Sequence, residues 1–334
     1  MGVLVRGNPV LRIHFGELDL ARTRLADAPD PLWEIASSLH RFQTRRGRWA
    51  HGRWHADAVR TLRGSPLGRA VRTLLLPLYP RAQYFPDFLT PGEGEAGLGA
   101  GLEAILAAPK RRVTGEITQI EPRRRHASPL HTLATPRERR VLVETLRAYH
   151  SAVISPVAGQ MRGLLDSERA LRARHLLDGG VDGLLRGLGP TIQWRPPVLS
   201  VIDHVDDRDV HLDGRGLRIV PSYFCWQQPV TMADPGLPQV LVYPMPRTAE
   251  DQVAASSEEA VAALIGGSRA TVLAACAAGA TTSEIARRAG VSAGTVSYHT
   301  RTLREAGLIS SRRHAETVLH TLTRLGADML RHTS

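Results

Sequence analysis

Residues Thr281 to Leu308 constrain this chain more tightly than any other stretch. Thr281-Thr282-Ser283-Glu284 has the spacing of a capping box, in which a hydroxyl and a carboxylate three residues later satisfy the free amides at a helix start. The helix that begins there must be short, because Gly290 supplies the positive φ of a sharp stop. Ser292 then caps a second helix, whose inward residues are Val296, His299 or Thr300, and Leu303, until Gly307 ends it. A small Ala286 lets the two helices approach, Gly290 makes the turn, Val291 plugs it and Val296 fills the angle between them. Those are the packing requirements of a helix-turn-helix. Leu308 to Ser311, the basic Arg312-Arg313-His314-Ala315 and Thr317 to Leu322 predict a hairpin, or wing. Ser268 to Ala278 predicts the preceding helix and Arg324 to Leu330 a closing one.

Such an arrangement presents the first turns of its second helix to the major groove of duplex DNA, with Ser292 and the first amides near phosphate. Thr295, Ser297, Tyr298 and Arg301 lie on the outward arc and are the candidates for base-edge or phosphate contact. Arg304 is placed to reach the DNA backbone, and Arg312, Arg313 and His314 at the wing tip to reach phosphate or the minor groove. Net charge agrees with a polyanionic partner: 43 Lys+Arg against 32 Asp+Glu give +11, and the pI is near 10.7. The stretch from Gly266 to Ser334 has nine arginines and four acids, a balance of +5, and the other 265 residues carry only +6. Lys110 is the only lysine, so the positive charge is almost all guanidinium.

Thr282-Ser283-Glu284-Ile285-Ala286, Ser292-Ala293-Gly294-Thr295-Val296-Ser297-Tyr298-His299 and Leu303-Arg304-Glu305-Ala306-Gly307-Leu308-Ile309 resemble the winged helix of the ArsR family of bacterial repressors. Asp213 to Phe224, through Leu217, Ile219, Val220, Pro221, Ser222 and Tyr223, with Leu241-Val242-Tyr243-Pro244, resembles longer ArsR-type regulators of actinobacteria. The resemblance implies a homodimer on an inverted-repeat operator, and repression of transcription. Metal-sensing members carry paired cysteines on the helix before the recognition helix. Thr281 to Ala289 contains none, so no metal site is expected there. Thr300 stands where the family usually has an apolar residue.

Upstream, Val10 to Phe15 predicts a β segment. Leu32, Ile35, Leu39 and Phe42, then Leu67, Val71, Leu74 and Leu78, have the three-and-four spacing of amphipathic helices. Pro86 to Gly101 lacks periodicity and predicts a loop. A long helical region runs through Leu142, Leu146, Tyr149 and Val153 to Met161, Leu164 and Leu171, with Pro156 expected to kink it and Gly179-Gly180 to end it. Leu184, Leu185 and Leu188 make one more short helix. From Ile192 the pattern changes to short β runs at Val198 to Ile202, Val210 to Leu212, Leu217 to Val220, Tyr223 to Trp226 and Val240 to Tyr243.

The expected fold is therefore α+β: a mainly helical N-terminal dimerisation or sensor domain (1–190), a small antiparallel β module (191–246), a linker (247–257) and a C-terminal winged helix-turn-helix (258–334).

Other chemistry finds little support. Cys225 and Cys276 are too far apart in sequence for a C-x-x-C pair and are expected to be buried. His204, Asp206, Asp207, Asp209, His211 and Asp213 form the one acid and imidazole cluster, but their order does not match a calcium loop, and no metal is assigned. Gly97, Gly99 and Gly101 fail the dinucleotide fingerprint at Leu102, and no Walker loop, H-E-x-x-H or nucleophile elbow occurs. No cofactor and no catalysis are expected; an N-terminal enzyme fused to a DNA-binding module, and an architectural DNA binder without ligand, are the alternatives. Arg123-Arg124-Arg125 reads as a solvated loop. Trp33, Trp49, Trp54, Tyr79, Tyr84 and Phe85 read as core, or in part as the lining of a pocket for a small-molecule effector. The longest uncharged run, Ile219 to Ala233, has 15 residues and two prolines, against about 20 apolar residues for a membrane span. With Arg6 and Arg12 interrupting any secretory signal, a cytoplasmic, nucleoid-associated protein is expected.

Overall fold

A computed structural model of the chain describes residues 9–81, 84–120, 129–245, 262, 264–277, 279–314 and 317–331. The chain divides into two compact units, Met1–Pro246 and Arg247–Ser334. The expected linker, 247–257, and the basic run Arg123-Arg124-Arg125 lie outside the described residues.

The first unit is α+β. It begins with β1 (Val10–His14), α1 (Glu17–Arg22) and β2 (Arg24–Leu25). Helices α2 (Pro31–Phe42), α3 (Arg48–Leu62), α4 (Pro66–Ala70) and α5 (Leu76–Leu78) follow, then α6 (Leu98–Ala107), α7 (Lys110–Ile120), α8 (Pro136–Tyr149) and α9 (Ala158–Arg186). Proline shapes two junctions in the same way. It lacks an amide and its ring crowds the turn before it, and a widened π turn precedes it in each case, Val71–Leu75 before Pro77 and His150–Ile154 before Pro156. Gly179 and Gly180 break α9, as the sequence predicted, and helix resumes beyond them with Leu184 and Leu185 buried. The segment read as a loop is more ordered: 3₁₀ turns occupy Asp87–Leu89 and Gly92–Ala96, and α6 starts at Leu98.

Six further strands complete the unit: β3 (Ile192–Arg195), β4 (Val198–Ile202), β5 (Arg208–His211), β6 (Leu217–Ser222), β7 (Val230–Thr231) and β8 (Gln239–Pro244). They do not form a separate antiparallel module. One sheet has the order β3-β4-β1-β5, with β1 antiparallel to β4 and parallel to β5; the other is β2-β6-β8-β7, with β6 parallel to both β2 and β8. No fold boundary therefore falls at residue 190: residues 10–14 sit between strands from the far end of the unit. The first sheet is mixed because β1 runs parallel to β5, the second because β7 runs antiparallel to β8, and β1 and β2 pair with strands nearly 200 residues later, which local periodicity does not encode.

Parallel strands are buried on both faces and read as continuous apolar runs. Strand β6 is buried at every position and β8 at all but its last. Leu217, Ile219, Leu241 and Tyr243 point into a cluster with Leu11, Ile13, Leu199, Val201 and the end of α9. Val220, Val240 and Val242, one residue out of phase, point into the helical core around Trp33, Leu39, Leu75 and Leu146. Each such side chain contributes on the order of 2 kcal/mol by leaving water.

Helix α2 is fastened across β6 by buried acids. Asp30 caps α2, accepting the amides of Leu32 and Trp33, and also pairs with Arg218 on β6 at 2.8 Å. One turn on, the Glu34 carboxylate accepts the amides of Tyr223 (2.7 Å) and Phe224 (3.1 Å) and the Ser222 hydroxyl (3.2 Å). Tyr223 to Trp226, expected as a strand, is consequently a turn: the first two amides are taken by a carboxylate and not by a neighbouring strand. Burial raises the Glu34 carboxyl to about 7, with the two amides and the hydroxyl pulling the other way.

The sign of the resulting pH dependence follows by linkage. A carboxyl whose pKa rises from 4.5 unfolded to about 7 folded binds a proton preferentially in the folded state. Its stabilisation is fully present below pH 4.5 and is lost as pH rises toward 7, on the order of 3 kcal/mol. All five tryptophans lie in the first unit, so tryptophan fluorescence isolates its unfolding. Urea titrations between pH 4.5 and 7.5 are expected to show this loss in the wild type and a flattened slope in Glu34→Gln; equal slopes would place the titration elsewhere.

Candidate nucleic-acid interface

The second unit contains α10 (Gly267–Ala275), β9 (Ala280–Thr281), α11 (Thr282–Ala289), α12 (Ala293–Glu305), β10 (Ile309–His314), β11 (Thr317–Leu322) and α13 (Arg324–Arg331). Its core is Val272, Leu273, Cys276, Ala280, Ile285, Val296, Leu303 and Ile309, with Ala286 and Val291 packed against it. The capping box at Thr281 is complete: Glu284 donates its amide to the threonine hydroxyl, and its carboxylate accepts the Thr281 amide at 2.8 Å. Those bonds hold the Glu284 carboxyl below the usual carboxylate range.

Gly290 takes φ 64°, ψ 30°, and the amides of Gly290 and Val291 both return to the Ala286 carbonyl, closing α11. Ser292 caps α12 by accepting the Thr295 amide at 3.1 Å. Thr300 is buried beside Val296 and Leu303, and its hydroxyl donates to the Ser297 carbonyl at 3.2 Å. A polar residue on the inner face is thus accommodated by back-bonding to its own helix, which leaves its methyl group to the core.

The outward arc of α12 holds most of the residues expected on it. Ser292, Ser297, Tyr298, Arg301 and Arg304 are exposed, Tyr298 by 61%. Thr295 differs: it is half-buried and its hydroxyl lies 2.8 Å from Ser292 Oγ, so it is committed to the helix start before any partner arrives. Arg301 pairs with Glu305 at 2.9 Å, one turn along the exposed face. Both partners are well solvated, so the pair is worth little and can be exchanged for a stronger anion.

Strands β10 and β11 form the expected hairpin, with Arg312 opposite Leu319, Arg313 opposite Val318 and His314 opposite Thr317. Arg312 and Arg313 are exposed; the His314 side chain lies outside what is described. β9 adds a third strand beside β11. His320, which periodicity does not single out, ties the wing to the helices. Its Nδ1 meets Ser311 Oγ at 2.8 Å and its Nε2 meets Thr282 Oγ1 at 3.1 Å. Burial, with Arg304 nearby, lowers its pKa. A His on one strand of the predicted hairpin with a serine on the other was the only sequence signal for it.

The remaining chemistry of the chain is dispersed. His14 stacks on His211 and bonds Asp209 at 2.6 Å, Arg12 pairs with Asp207, and His204 pairs with Asp206. Among the described residues no three His, Cys, Asp or Glu side chains converge as metal ligands, and no helix is long and apolar enough to cross a membrane. Cys225 and Cys276 are both buried, and burial raises their thiols to about 12 and about 11.

Residues 257–312 match the family model of a helix-turn-helix domain. The C-terminal unit is therefore a helix-turn-helix DNA-binding domain, and the match ends at Arg312, on the first strand of the wing. No curated protein and no solved structure matches the chain.

Gly290 gives a direct test of the turn. Open space surrounds the position of an added Cβ, so the cost of Gly290→Ala is purely conformational, about 1 kcal/mol for a left-handed φ. Amide exchange in α11 and α12 of the full chain is expected to quicken several-fold, while that of α2 and α8 stays unchanged. Unaltered protection in α11 and α12 would contradict the turn geometry.

Proposed function

We propose that this protein is a transcriptional regulator of the ArsR type and not a catalyst, one that binds an inverted-repeat operator as a homodimer and represses transcription from it. The observation that carries the reading is the exposed N-terminal face of α12 beside a wing that projects Arg312 and Arg313. The N-terminal turns of α12 enter the major groove, where Ser297 and Tyr298 read base edges. The first amides of α12 and Ser292 meet a phosphate, helped by the positive end of the helix dipole. Arg301 exchanges Glu305 for DNA, Arg304 lies along the backbone, and Arg312, Arg313 and His314 follow phosphates into the neighbouring minor groove.

A two-fold protein matches half-sites about 34–36 Å apart, one helical turn. An effector bound in the first unit regulates only through different affinities for the DNA-competent and incompetent states. The protein then works where the chromosome is, in the bacterial cytoplasm.

Selection from randomised duplexes at about 150 mM salt, where weak non-specific binding is suppressed, is expected to enrich an inverted repeat. Recovery of no common sequence would overturn the reading. On the selected operator, Arg313→Ala is expected to weaken binding to every sequence alike and to lower the salt slope by about 1, whereas Tyr298→Ala changes the preferred half-site. Binding isotherms identical to the wild type for both variants would remove α12 and the wing from the interface.

A further inference from the structure

A cavity of about 300 Å³ opens within the first unit, between the second half of α2, Arg81 with Tyr84, Phe85 and Asp87, the approach to β5 and the segment from Phe224 to Ala233. Its two acids are already engaged. The Asp87 carboxylate accepts the amides of Ala233 and Asp234 at 2.9 and 2.8 Å. Asp206 pairs with His204 at 2.7 Å and lies 3.6 Å from Arg208, whose terminal nitrogens donate to the carbonyls of Ala233 and Met232.

Two further cations face the same space without such partners. Neither Arg41 nor Arg81 has a carboxylate within ion-pair distance among the described residues. Arg41 is only 6% exposed, its Nη1 makes one long bond of 3.4 Å to the Arg46 carbonyl, and its Nε has no acceptor. Burial, with Arg81 beside it, pulls its pKa down to about 10. The buried Nε2 of His40, next along the wall, also lacks a partner. A buried guanidinium without a counter-charge is costly, and folded proteins rarely keep buried donors unsatisfied. Here two guanidiniums and an imidazole that burial keeps neutral converge on one cavity whose other walls include the aromatic rings of Phe85 and Trp226.

We infer that this cavity binds a small organic anion: an anionic oxygen headgroup, carboxylate or phosphate, against Arg41 and Arg81, and a planar apolar body against Phe85 and Trp226. The volume is at the lower end of small-molecule pockets, which fits a metabolite and not a peptide. Paired guanidiniums suit such headgroups because their planar forks match two oxygens. The inference gives the chemistry of the effector proposed above and rests on that reading for its regulatory role alone.

Calorimetric titration of the full chain without DNA tests it, with benzoate, phenyl phosphate and the neutral benzamide as probes. At least one anion is expected to bind, and the tighter of the two identifies the headgroup. Binding of benzamide to the wild type, and of the anion to Arg41→Met and Arg81→Met, is expected to be weaker by about tenfold or more. Should Arg41→Met fail to fold, the half-buried Arg81 carries the comparison. Absence of binding by either anion up to about 10 mM, equal binding of benzamide, or unchanged affinity in a folded variant would overturn the assignment. Anion binding that leaves operator affinity unchanged would uphold the site and count against the regulatory reading.

Discussion

The first unit depends on one polar stripe along α2. Asp30, Glu34, Ser37 and Arg41 recur at three- and four-residue intervals on one side of the helix, and none is more than 6% exposed. The first two are acids that meet β6: Asp30 takes Arg218, and Glu34 takes the amides that β6 releases as it turns. These contacts fix α2 against the central parallel pair, and the pair in turn separates the helical core from the cluster shared by the two sheets. The same stripe ends in the cavity, lined by Ser37, His40 and Arg41. A helix held by its first two turns thus delivers an unpaired guanidinium from its last. Asp30 faces the Arg218 cation, whereas Glu34 is held by amides and a hydroxyl with no cation beside it, and burial, with the Asp30 charge adding to it, raises its carboxyl.

That stripe also marks where sequence reading stops. The apolar positions Leu32, Ile35, Leu39 and Phe42 announced α2, because period 3.6 is a local property. The polar positions between them look like a solvent face, yet α2 is buried from Leu32 to Leu39 on every side. Periodicity assumes that one side of a helix is wet, and it fails for a helix packed between a sheet and other helices. The strands show the same limit: Val198 to Ile202 was legible as a strand, but its pairing with Val10–His14 was not. Tyr223 to Trp226 has strand-like composition, and only a carboxylate from α2 makes it a turn.

The second unit was more legible because its instructions are short-range. The capping box of Thr281 and Glu284, the left-handed Gly290 and the Ser292 cap are each complete within a few residues, so spacing alone specifies them. What escaped were the contacts between elements. His320 reaches Thr282 across the sheet, and Thr295 turns out to serve the cap with its hydroxyl. Of the residues placed on the DNA side by helix phase, Thr295 and Arg301 have local partners, Ser292 and Glu305, that compete with the proposed contact.

Arginine does different work in the two units, and its surroundings decide which. In the first unit three buried or half-buried guanidiniums are matched by carboxylates, Arg218 by Asp30, Arg172 by Glu168 and Arg112 by Glu116, while the buried Arg139 donates instead to the Ala108 carbonyl. Arg172 extends this into a network, since Glu168 also accepts the Tyr243 hydroxyl at 2.7 Å. In the second unit Arg304, Arg312 and Arg313 are exposed, which favours contact with a phosphate backbone over a fixed structural role. Arg41 has neither a carboxylate nor a close carbonyl. It has the burial of the first group and the missing counter-charge of the second, and removing a partner from a buried charge costs several kcal/mol. An anion that supplies the missing charge recovers part of that cost. Recovering about 1–3 kcal/mol in one conformation and not in another would be sufficient for coupling between two sites.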